Sequence, residues 1–157
     1  MFTNDYIMRM IEQLVLGIAL IMGLKKEHKT EEATVLLTGT LRKFFGLNDS
    51  AVEELSWDSL MSVVSLGGAP DPERSALLAQ LIKEKADLSR MQGGLAAAKE
   101  LYIKALNILL ASVLQDDRLV SGTNIQYIDE IVATLAGQEL PEESAQLLER
   151  YRKALGS

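Results

Sequence analysis

The groupings in this chain that could do acid–base or metal chemistry are five pairs of adjacent acids and one histidine. The pairs are Glu31-Glu32, Glu53-Glu54, Asp116-Asp117, Asp129-Glu130 and Glu142-Glu143; the histidine is His28. Neighbouring residues on a helix point about 100° apart, so an adjacent pair does not grip one ion jointly. Most of these acids open or precede helical segments, where the helix dipole favours negative charge. A di-metal helical bundle needs inward Glu together with Glu-x-x-His on several helices, and that pattern is absent. His28 lies among lysines in a polar connector, and one histidine cannot supply the paired ligands of zinc chemistry. There is no Cys, which removes disulfides and thiolate metal sites. The glycine pairs Gly67-Gly68 and Gly93-Gly94 match no phosphate-cradling motif, and no serine stands in a nucleophile elbow. No catalytic, cofactor-binding or metal residue is therefore expected. An enzyme of this composition would have to work through carboxylates that face inward with shifted pKa values.

The elements that would position any site all read as helical. No segment alternates polar and apolar residues as a strand would. The fold class expected is all-α, with about seven helices in antiparallel hairpins. The 157 residues form a single helical domain, 1–157, with a loop at 67–70 between two helical halves. Thr3 or Asn4 caps a first helix, 4–23. Its polar positions Asp5, Arg9, Glu12 and Gln13 give way to a run, Leu14 to Met22, that is apolar nearly all round. Such a helix is either central in a core or covered by another chain. A second helix follows Thr30 and ends at Gly46, with Leu36, Leu37, Leu41, Phe44 and Phe45 on its apolar side. Ser50 to Glu53 has capping-box spacing, and Ser56 opens a short helix bearing Leu60, Met61, Val63, Val64 and Leu66. Asp71-Pro72 is a strong helix start, an acid at the cap and proline at the first helical position. Leu77, Leu78, Leu81, Ile82, Ala86 and Met91 give that helix its apolar positions. The next runs from Gly94 or Leu95 to about Gln115. Ile125 to about Gly137 makes a sixth, and Pro141 starts a seventh with Leu147, Leu148, Tyr151 and Leu155.

Net charge is −6, and residues 1–70 (six basic, nine acidic) and 71–157 (ten and thirteen) each carry −3. Neither half offers the cationic footprint that nucleic-acid binding needs. Asp5 stands where a secretory signal carries positive charge, and the eleven-residue apolar run Leu14–Leu24 falls short of the about 20 a spanning helix needs. No membrane span and a cytoplasmic location are expected. Trp57, the lone tryptophan, reads as packing its short helix onto the core, and Met8, Met10, Met22 and Met61 as core filling.

The stretch Ile82–Leu110 resembles a tetratricopeptide (TPR) repeat. Ala86, Gly93, Ala98, Tyr102 and Ala105 stand at that family's spacings for alanine, glycine, alanine, an aromatic and alanine, where small residues let two antiparallel helices cross closely. Ser89 and Leu110 depart from it, standing where an aromatic and a proline are usual. Ala33 with Leu37, and Ala133 with Ala145, mark two further candidate hairpins. The opening Asn4 to Leu14, with the later Gly23-Leu24-Lys25-Lys26, is similar to an uncharacterised family of small helical proteins from Gram-positive bacteria, with no known activity. The resemblance implies a TPR-like right-handed superhelix or a compact bundle. It implies a non-enzymatic scaffold that binds a protein or peptide partner, while the surplus apolar face of helix 4–23 points to self-association as a homodimer through that helix. The alternative is a small-molecule or lipid-binding domain with an apolar pocket beside helix 4–23.

Overall fold

A computed structural model describes residues 4–65 and 68–156. These residues form eight α-helices and no strand: α1 (Asn4–Lys26), α2 (Thr30–Phe45), α3 (Asp49–Glu54), α4 (Trp57–Val63), α5 (Pro72–Met91), α6 (Leu95–Gln115), α7 (Gly122–Thr134) and α8 (Glu142–Gly156). The element added to the sequence expectation is α3. Its cap is Asn48, whose side chain accepts from the Ala51 amide, so the cap lies two residues before the expected Ser50. Thr3 and Leu66 lie outside the described residues, as does Gly67 of the 67–70 loop.

Most helix boundaries follow local chemistry. Asp71 accepts from the Arg74 amide with Pro72 behind it, and Ser56 accepts from Ser59. Gly46 ends α2 at φ 66°, its N–H returning to the Arg42 carbonyl at 3.0 Å. The α1–α2 connector uses His28 in the same left-handed way, at φ 60°; the histidine is exposed. Thr30 is the first residue of α2, but no side chain caps that helix.

The α5–α6 hairpin is the centre of the molecule. Ala86, Ala98, Tyr102 and Ala105 are buried in it, as the repeat-like spacing requires, and Gly93 turns the connector at φ 87°. A Cβ on Gly94 would come within 2.9 Å of Ser89 Oγ, so that turn has no room for a side chain. Helices from both halves of the chain surround this hairpin. The α1–α2 pair packs on α5, α4 and α8 pack on α6, and α7 lies across both. Arg74 at the start of α5 ties in the first half, donating to the Phe44 carbonyl at 2.9 Å. Of the two further hairpins, the first has its small residue inside: Ala33 and Leu37 are buried between α1 and α2. In the last, Ala133 and Ala145 are exposed, and α7 and α8 pack on α6 rather than on each other. Trp57 and Met61 pack against the core as expected, whereas Met8 and Met91 are exposed.

Candidate functional sites

Two regions stand out, one turned inward and one outward. The inward one is a lattice of charges on α5. Gln80, Lys83, Glu84 and Asp87 form a polar stripe at helical spacing, and all four are buried. The stripe faces α7 and the end of α1. Lys25 Nζ, from the last turn of α1, donates to Glu84 Oε1 at 2.5 Å and to Asp87 Oδ2 at 2.6 Å. Lys83 Nζ lies 2.7 Å from Asp87 Oδ2 and 2.8 Å from Glu130 Oε2 on α7. Tyr127 of α7 donates to Glu84 Oε2 at 2.9 Å, Tyr102 of α6 donates to Asp87 Oδ1, and Gln80 donates to Asn124 of α7 at 2.9 Å. Two lysines thus meet two fully enclosed carboxylates. Buried charge is tolerable only when paired and hydrogen-bonded in this way.

The protonation states follow from the partners. Burial alone would raise Asp87, but the hydrogen bonds from Lys25, Lys83 and Tyr102 outweigh it and hold the carboxyl below its usual range. Burial would lower Lys83, and the charge of Glu84 with the bonds to Asp87 and Glu130 instead pushes it above an ordinary lysine. Tyr127 and Tyr102 are pushed up, first by burial and then by the carboxylates they face. All four groups therefore keep their neutral-pH forms. The inward acids that carboxylate catalysis would need do exist, as Glu84 and Asp87. Their oxygens are taken up by lysines and phenols, which suits anchoring better than proton transfer. Among the described residues no three acidic or imidazole groups converge as a metal site.

Sequence reasoning did not find this lattice. It singled out none of Lys25, Lys83, Glu84 and Asp87 as site residues. The signal was present as matching spacing: Gln80, Lys83, Glu84 and Asp87 on α5 against Asn124, Tyr127 and Glu130 on α7.

The outward region is the face shared by α1 and α2. Only Leu14, Ile18 and Ile21 of α1 are buried. Tyr6, Met8, Val15, Leu16 and Leu20 of α1 are exposed, and so is Val35 of α2, which at 73% is more open than any of them. Between the helices runs an open groove of about 480 Å³, lined by Leu16, Gly17, Leu20, Val35, Gly39 and Phe44 among others. The helix is also longer than its apolar run. It has 23 residues, with a mean hydropathy of 1.8 over an 18-residue window within it, and is long and apolar enough, by composition, to cross a bilayer. In the fold, its inner side packs on the core and its last turn is bound through Lys25.

No known protein family, curated protein or solved structure matches the chain.

Proposed function

We propose that this protein is a non-enzymatic helical scaffold, TPR-like in its central hairpin, that works by protein–protein contact through the α1–α2 face. The observation that carries the reading is the exposure of Val15, Leu16, Leu20 and Val35 on adjoining helices whose inner sides pack on each other and on α5. A helix with one apolar side in a core and a second apolar side in water marks a contact surface, since single scattered apolar residues are normal but a contiguous set is not. The groove suits an amphipathic helix laid along it. The buried lattice supports the reading by holding α1 rigidly against α5, so that the outer face is presented in a fixed geometry.

The alternative reading gives the groove an acyl chain or another apolar small molecule. Its nearly all-apolar lining favours that reading, while its openness to solvent favours a partner helix over an enclosed ligand.

The test is site-specific photo-crosslinking in the producing cells, with a benzophenone side chain at Leu16 or Val35 and a control at Leu95, exposed at the start of α6. Crosslinks to protein from Leu16 and Val35, absent from Leu95, are expected. Crosslinks to lipid alone, or equal yields from all three positions, would overturn the proposal.

A further inference from the structure

We infer that the occupant of the α1–α2 face is a second copy of this chain, paired with α2 running antiparallel to α2. The inference rests on the protein-contact reading of that face and adds the identity and register of the partner. The outer side of α2 carries Glu31, Val35, Gly39 and Arg42 at spacings of four, four and three, with Glu32 and Lys43 beside them. All six are exposed. Among the described residues Glu31, Glu32 and Arg42 have no ion-pair partner in their own chain, and Lys43 has only the neighbouring Phe44 ring, 5.2 Å from its Nζ.

This pattern is self-complementary in one orientation only. A two-fold axis crossing α2 at the level of Leu37 keeps each edge of the face on its own side, so Glu31 meets the partner's Arg42 along one edge and Glu32 meets the partner's Lys43 along the other. The same axis sets Val35 opposite the partner's Gly39. Val35 is the most exposed large apolar residue named on this face, and Gly39 has no atom within 4 Å of the place a Cβ would occupy. A knob therefore meets a hole, twice, between two pairs of opposite charges. Parallel pairing would set acids against acids and bases against bases. Such an interface is isologous, the same patch on both copies, as closed dimers require. Leu16 and Leu20 of the adjoining α1 border the same groove, so two α1–α2 hairpins would close into a four-helix bundle with their apolar sides inward.

Sedimentation velocity of the full chain over a wide concentration range tests this. A dimer is expected. Val35→Lys should abolish it. Glu32→Lys and Lys43→Glu should each weaken it by about tenfold or more by opposing like charges. The double variant Glu32→Lys/Lys43→Glu restores opposite pairing across the axis and should recover most of the affinity. Circular dichroism should be unchanged in all of them, since each altered side chain is exposed. A chain that stays monomeric at high concentration overturns the inference. So does a dimer that Val35→Lys leaves intact, or a double variant no better than the singles. A monomer that still crosslinks to a different protein from Leu16 sinks the self-pairing and leaves the scaffold reading standing. Crosslinks to lipid alone sink the scaffold reading itself.

Discussion

In α5 thirteen of twenty residues are buried, among them Lys83, Glu84 and Asp87, whereas in the more apolar α1 only three of twenty-three are. The difference comes from place in the topology, not from composition. α5 lies between the α1–α2 pair, α6 and α7, so even its polar stripe is enclosed. That enclosure is bearable because Lys25, Tyr102, Tyr127 and Glu130 arrive from three other helices with complementary groups. α1 is a peripheral helix whose second apolar side no other described part of the chain covers. One helix has its polar side satisfied internally; the other has an apolar side exposed to solvent. Breaking the first should damage the fold, and altering the second should leave the fold alone.

The largest effect should come from Glu84→Ala. It leaves Tyr127 without its acceptor and Lys25 and Lys83 with one buried carboxylate fewer, and removing one partner of a buried ion pair costs about 3–5 kcal/mol. Urea denaturation measures this, and a loss under about 1 kcal/mol would mean that the lattice is not buried as described. Tyr102→Phe removes one hydrogen bond to ionised Asp87 and should cost about 1.5–3 kcal/mol in the same assay. The lattice also sets a pH window. Because the folded pKa of Asp87 is depressed, its stabilisation is complete above the ordinary value of 3.8 and is lost as pH falls through the folded value. Because that of Lys83 is raised, its contribution is complete below 10.5 and is lost as pH rises through the folded value. Thermal unfolding from pH 2 to 12 should show both limbs, and Asp87→Asn should flatten the acid limb. The smallest effect is Gly39→Ala. On an exposed helix position with no neighbour it should stabilise the monomer by about 0.5–1 kcal/mol. At concentrations where two copies pair, the added methyl meets the partner's Val35, so the gain should shrink with concentration. A gain independent of concentration would argue against that register.

The sequence made the helices legible because their signals are local. Period, caps and breakers placed α5 between Asp71 and Gln92 and α6 between Gly94 and Gln115, and the alanines at 86, 98 and 105 marked the crossing. The lattice was hidden because it is non-local. Lys25 meets Glu84 across 59 positions and Asp87 across 62, and nothing near Lys25 separates it from a solvated end-of-helix lysine. Ala133 and Ala145 failed as crossing residues for a related reason. Spacing sets which residues share a face, while the helix that covers that face is decided elsewhere in the chain. The outward face was half visible. The excess of apolar residues in 4–23 left open a core helix or one covered by another chain, and the charges and the glycine on which the inferred self-pairing rests lie on α2.

The Lys25 anchor also has a consequence in time. During synthesis α1 emerges before the residues that hold it. At ~5–20 residues per second, the 62 positions separating Lys25 from Asp87 correspond to a delay of roughly 3–12 s. Tyr127 and Glu130 follow later still. For that interval an apolar helix exists without its ionic clasp, and the nascent protein spends it in need of shelter from aggregation.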